Sequence, residues 1–140
     1  MNEHRFEFIE HTADKGIVAC GDTLVEALEN VAYGMFSLMA ELDKYEGVEE
    51  RAIEAQGADD VSLLHAWLNE LLFVFEVDRV LPVSFNIGSL ENGALTATVA
   101  VHPFGPDIEW LGSGVKAITY HEMLVERLDV GYRVRAIVDV

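Results

Sequence analysis

Leu63-Leu64-His65-Ala66-Trp67-Leu68-Asn69-Glu70-Leu71-Leu72-Phe73-Val74-Phe75 is the stretch on which the fold turns. It is apolar almost all round a helix. Only Ser62, His65, Asn69 and Glu76 form a narrow polar stripe. A helix with so little polar surface is buried on most of its sides, so this segment is expected to be the spine of the fold. Asp59 or Asp60 stands in front of it as an N-cap, where a carboxylate accepts from backbone N–H groups that have no partner in the first turn.

Upstream, Arg5-Phe6-Glu7-Phe8-Ile9 alternates and reads as a strand, and Gly16 opens a second apolar run, Ile17-Val18-Ala19-Cys20. Thr23-Leu24-Val25-Glu26 has the form of a capping box. Behind it Leu24, Leu28, Val31, Met35 and Met39 recur at helical spacing, which predicts a helix to about Met39 with its methionines in the core. Val48 to Ala55 reads as a half-exposed strand.

Downstream, Val83, Phe85 and Ile87 alternate with polar neighbours. Asn92-Gly93 is a hairpin turn signal, and Leu95 to Val101 is the returning strand. His102 to Gly114, with two prolines and three glycines, is the longest loop and the best candidate for a mobile surface segment. Ala117 to Leu128 and Tyr132 to Val138 form a last hairpin, turned by Asp129-Val130-Gly131. The order strand, strand, helix, strand, helix and then hairpins predicts an α+β fold, with two helices packed on a largely antiparallel sheet. At 140 residues the chain fits one domain, 1–140.

Composition narrows the function. The formal net charge is −16, with 25 acidic against 9 basic residues. Phosphate capture draws its free energy from Lys and Arg displacing counterions, so direct strong nucleic-acid binding is not expected. The acidic surface suits a basic partner instead. One cysteine, Cys20, excludes an internal disulfide; it lies in an apolar run and reads as a core thiol. No run reaches the roughly 18 apolar residues of a membrane span, and the N-terminus lacks the order of a signal peptide. A cytoplasmic protein without membrane association is expected.

Enzyme motifs are absent or incomplete. Gly112-Ser113-Gly114-Val115-Lys116-Ala117 fits G-x-G-x-x-A, but a dinucleotide fingerprint needs a strand before it and a helix after it. Here a proline-glycine loop precedes and a β-branched run follows. His121-Glu122 opens like a zincin motif, yet Val125 occupies the second histidine position. There is no Gly-x-Ser-x-Gly elbow. What remains is a set of hard oxygen donors: Asp14 near the start, then Asp139 and the carboxylate of Val140 at the end. Such a set could hold a divalent cation. His11 and His121 with Asp14 form an alternative mixed zinc set, and structural hydrogen bonding is the more ordinary role for such histidines. Lys116 is a lone cation between a glycine loop and a β-branched strand; a solvated lysine is its plainest reading.

Together, His11-Thr12-Ala13-Asp14-Lys15-Gly16-Ile17, Leu63 to Phe73, Val115 to His121 with Met123, and Asp139-Val140 resemble the archease family in order, spacing and total length. One departure is Lys15, where the family usually carries an apolar residue. The resemblance implies an accessory protein, not an enzyme. Its expected partner is the RtcB-type, GTP-dependent RNA ligase of tRNA splicing, whose guanylylation and repeated turnover it would promote. It also implies metal-binding positions at Asp14, Asp139 and Val140, with calcium as the ion class and Lys116 as a functional neighbour. His121 and His11 lie in the matched segments and are candidate residues for ligase activation. A small metal-dependent hydrolase and a general chaperone or modulator of RNA-modifying enzymes are the alternatives.

Overall fold

The computed structural model describes residues 5–10, 14–112 and 114–140, with the side chains of Glu10 and Asp14 outside that description. Seven strands and two long helices follow in the order β1 (Phe6–Glu10), β2 (Asp14–Gly21), α1 (Leu24–Ser37), β3 (Glu49–Gln56), α2 (Asp60–Asp78), β4 (Val80–Glu91), β5 (Ala94–Pro103), β6 (Ala117–Arg127) and β7 (Tyr132–Asp139). The fold is α+β. The strands divide into two antiparallel sheets rather than one, with orders β1-β2-β7-β6 and β3-β5-β4. Each helix touches both sheets: α1 lies on β2, β7 and β4, and α2 on β3, β4 and β6.

Both helices start by the same device. Thr23 accepts the amide of Glu26 at 3.1 Å, and Asp59 accepts that of Ser62 at 2.8 Å, each satisfying a donor that the first turn leaves open. Two residues before each cap stands a glycine, Gly21 or Gly57. A Cβ at either would fall 2.3 Å from a backbone nitrogen of the following helix, Ala27 or Leu63. The helix therefore turns back onto the end of its strand more closely than any side chain permits. The Asp59 carboxyl is held below its ordinary range by its hydrogen bonds to Ser62. The reciprocal half of the Thr23 capping box is not what Glu26 provides: its carboxylate meets Arg5 at 3.2 Å.

The core joins the helices to both sheets. Leu28, Val31 and Met35 of α1, and Leu64, Trp67, Leu68 and Leu71 of α2, are fully buried. The Trp67 indole N–H donates to the Leu28 carbonyl at 2.9 Å, so the largest core side chain also satisfies its only polar atom. Removing an aromatic of this size from such a core costs about 3–5 kcal/mol. The expected methionine packing holds for Met35 and Met39, although α1 itself ends at Ser37.

Two readings of burial need correction. Phe73 and Val77 of α2 are 59% and 60% exposed, while Ser62 and His65 of the expected polar stripe are half-buried. An apolar residue on every side of a helix does not say which side neighbours cover. Cys20 is half-buried rather than a core thiol, because β2 turns alternate residues away from the helices and Cys20 follows Ala19, which is fully buried.

The hairpin turns follow their sequence signals. Asn92 and Gly93 both adopt positive φ, 52° and 75°, as a two-residue type I′ turn requires. The loop between β5 and β6 is tied down rather than free-standing: the amide of Leu111 donates to the Met39 carbonyl at 2.7 Å, that of Phe104 to the Arg79 carbonyl at 3.1 Å and that of Glu109 to the Tyr45 hydroxyl at 2.8 Å. Ile108 and Val115 from the same loop are buried. Among the described residues, no helix is long and apolar enough to cross a membrane.

Candidate functional site

The ends of three strands meet at one end of the four-stranded sheet. β7 lies between β2 and β6, and its last residue, Asp139, is registered opposite Asp14 on one side and Ala117 on the other. The amide of Lys116 donates to the Asp139 carbonyl at 2.8 Å. Asp14 and Lys116 thus flank Asp139, each one strand spacing from it on opposite sides, although about a hundred residues separate the two in sequence.

The face of the sheet matters. On β7, Val134, Ala136 and Val138 are fully buried in the core shared with the helices. Asp139 alternates with them and stands exposed on the other face. Position 14 is its direct cross-strand partner and belongs to that same outer face, whereas Lys15 is registered with Val138 on the helix-facing side. The one departure from the family pattern therefore falls on the opposite face from the two aspartate positions. Val140 is half-buried and packed against the core.

Lys116 is exposed and has no ion pair among the described residues. Arg5, Lys44, Arg51 and Arg133 all bond carboxylates.

His121 occupies a different setting. β6 pairs with β7 through Thr119↔Ile137 and resumes only at Leu124↔Arg135, so Tyr120 to Met123 bulge out opposite Ala136 alone. Within the bulge Glu122 takes a positive φ of 54°. Its carbonyl accepts from Arg135 Nε at 2.7 Å, and the His121 amide donates to Thr119 Oγ1 at 3.0 Å. The His121 ring is exposed, with Nε2 at 3.6 Å from Glu122 Oε2. It stands four residues along β6 from Ala117, the partner of Asp139. His11, with Thr12 and Ala13, lies outside the described residues.

A further pair was not legible as a site. The His65 imidazole of α2 stacks on the Tyr120 ring, with centroids 3.9 Å apart and planes 5° from parallel. Both residues sit in the matched sequence segments, but nothing in their spacing links a helix position to a strand bulge.

Among the described residues, no three His, Cys, Asp or Glu side chains form a metal-holding group. The donor chemistry at the strand ends is that of carboxylates, which suits a hard cation such as calcium or magnesium over a soft one. The glycine-rich segment before Lys116 leads into strand β6 and not into a helix, which removes the dinucleotide reading.

The fold and the strand-end cluster define a small α+β protein with its candidate site on the helix-free face of a four-stranded sheet. Residues 6–140 match the model of the Archease protein family (MTH1598/TM1083), and the chain belongs to that family. It is 39% identical over 137 residues to the protein archease of Sulfolobus acidocaldarius, covering 97% of this chain and 99% of that one. Identity to the Methanopyrus kandleri protein archease is also 39% over 137 residues, covering 96% and 98% of the two chains. The solution structure of Methanobacterium thermoautotrophicum protein 1598 superposes with a TM-score of 0.86 at 35% identity, covering 98% and 99% of the two chains. The crystal structure described as an archease, possible chaperone (TM1083), from Thermotoga maritima shares the fold with a TM-score of 0.63 at 20% identity, covering 99% and 100%.

Proposed function

We propose that this protein is a non-enzymatic accessory factor that activates an RtcB-type, GTP-dependent RNA ligase in tRNA splicing, promoting ligase guanylylation and repeated turnover. Membership of the archease family supports an accessory role, and the −16 charge supports leaving the RNA to the partner. The observation that carries the reading is the register of Asp14 opposite Asp139, with the Lys116 amide bound to the Asp139 carbonyl. Carboxylates placed at two such registered positions would repel one another unless a cation compensates. Asp14, Asp139 and Val140 would hold a hard divalent ion, with calcium the one that the family resemblance implies, and the ion would supply local positive charge where the partner binds nucleotide. Lys116, His121 and His11 are the neighbouring residues proposed to contact the ligase or its nucleotide.

The test is RNA joining by an RtcB-type ligase held below the RNA concentration, with and without this protein. Turnover beyond one RNA per ligase is expected only when the protein is present. Asp14→Ala and Asp139→Ala are each expected to lose that gain while circular dichroism is unchanged. Equal turnover with and without the protein would discard the reading.

A further inference from the structure

The C-terminal half of α2 carries apolar surface that the fold does not use. Single exposed apolar residues are ordinary. Phe73 and Val77, however, are each about three-fifths exposed and stand four residues apart, so they form one ridge. Ala66 and Glu70 continue the same side of the helix, seven to eleven residues back from Val77. They line a groove of about 520 Å³ between α2 and the β3–β5 pair, with Leu95 in its wall and Glu54 across from the helix.

The charged residues that line this groove, Glu54 and Glu70, are of one sign. Glu54, Glu70 and Glu76 have no ion pair among the described residues. The last turn of α2 contains no basic residue, although the carbonyl end of a helix is its negative pole and favours cations there. The nearby arginines are committed: Arg51 binds Asp78 at 3.0 Å and Glu49 at 3.1 Å, and the Arg79 guanidinium lies 5.1 Å from the centroid of the Phe104 ring.

We propose that this face docks a basic amphipathic segment of a protein partner, whose apolar residues cover Phe73 and Val77 and whose Lys or Arg enters the groove between Glu54 and Glu70. The charge selects this occupant. A second copy of the chain in a two-fold pairing would set the same carboxylates against each other. RNA and anionic lipid are repelled for the same reason. A cationic segment gains twice, from the apolar ridge and from carboxylates that lack partners; helix-in-groove recognition uses this combination. The inference rests on the accessory reading only in needing a protein partner, and the ligase itself is not part of its test.

The experiment is an NMR titration of the isotope-labelled full chain with a leucine-lysine amphipathic peptide of about 15 residues, long enough to form a helix, and with its leucine-glutamate counterpart. Shifts centred on Glu54, Glu70, Phe73 and Val77 are expected with the lysine peptide and none with the glutamate peptide. Phe73→Ser with Val77→Ser leaves the charge unchanged and is expected to weaken binding about tenfold. Glu54→Gln with Glu70→Gln, the second and independent variant, is expected to do the same. Binding that leaves this face unshifted, or that both double variants retain at full strength, overturns the proposal. Peptide docking here alongside a failure to activate any ligase would count against the function above and not against this surface.

Discussion

His65 and Tyr120 lie face to face, 3.9 Å between ring centroids, and join the middle of α2 to the bulge of β6. The contact spans two elements that no hairpin connects. It holds the outward loop of Tyr120 to Met123 against the helix, on the strand that starts beside Asp139.

Such a ring pair contributes about 0.5–1.5 kcal/mol beyond its buried area. His65→Ala and Tyr120→Ala are expected to be non-additive by that amount in a double-mutant cycle from urea unfolding. Tyr120→Ala alone is also expected to speed amide exchange at Tyr120 to Met123. Strict additivity of the two substitutions would show that the stack carries no coupling.

Lys116 gives a cleaner test of function because so little holds its side chain. It is exposed and unpaired among the described residues, so Lys116→Ala is expected to leave the urea midpoint unchanged within error. Loss of one charge-assisted contact in a complex corresponds to about 1.5–3 kcal/mol, roughly a tenfold to hundredfold fall in ligase activation. Lys116→Arg keeps the charge and is expected to retain part of the effect. Wild-type activation by Lys116→Ala, measured as turnovers per ligase, would remove this residue from the functional site.

Local signals in the sequence carried much of the architecture. The caps at Thr23 and Asp59, the Asn92-Gly93 turn and the helical spacing of Leu24, Leu28, Val31 and Met35 each depend on residues within a turn or two of one another. The division into two sheets depends on β2 pairing with β7 across most of the chain, and no local pattern encodes that partner. The bulge at Tyr120 to Met123 was hidden for a similar reason: its residues suit a strand, and only the register against Ala136 sets them outside the ladder. The exposure of Phe73 is not legible, because helical hydrophobicity does not identify the covered side. The aspartates are legible as oxygen donors able to hold a divalent cation, but their juxtaposition requires the β2–β7 register, which no local pattern encodes.

His102 yields the last prediction, on pH. Its Nδ1 lies 2.8 Å from the Glu46 carbonyl and its Nε2 lies 2.6 Å from Asp107 Oδ2. The carbonyl can only accept, and so can the ionised carboxylate, so both ring nitrogens must carry protons and the imidazolium is the form that fits. The hydrogen bond to Glu46 is the main cause of a raised pKa, partly opposed by burial and reinforced by Asp107. The unfolded chain should titrate near the ordinary histidine value of about 6.5. Folding therefore takes up proton in the window above that value. The stabilisation is fully present below about pH 6.5 and is lost as pH rises through the higher folded value. The latch ties the segment before β3 to the β5–β6 loop, and the neighbouring Tyr45 ring packs 5.4 Å from the imidazole. Urea midpoints of the wild type are expected to fall between about pH 6 and pH 8.5, and those of His102→Gln to change less across the same range. Parallel pH curves for the two proteins would show that the imidazolium between Glu46 and Asp107 contributes nothing to folding.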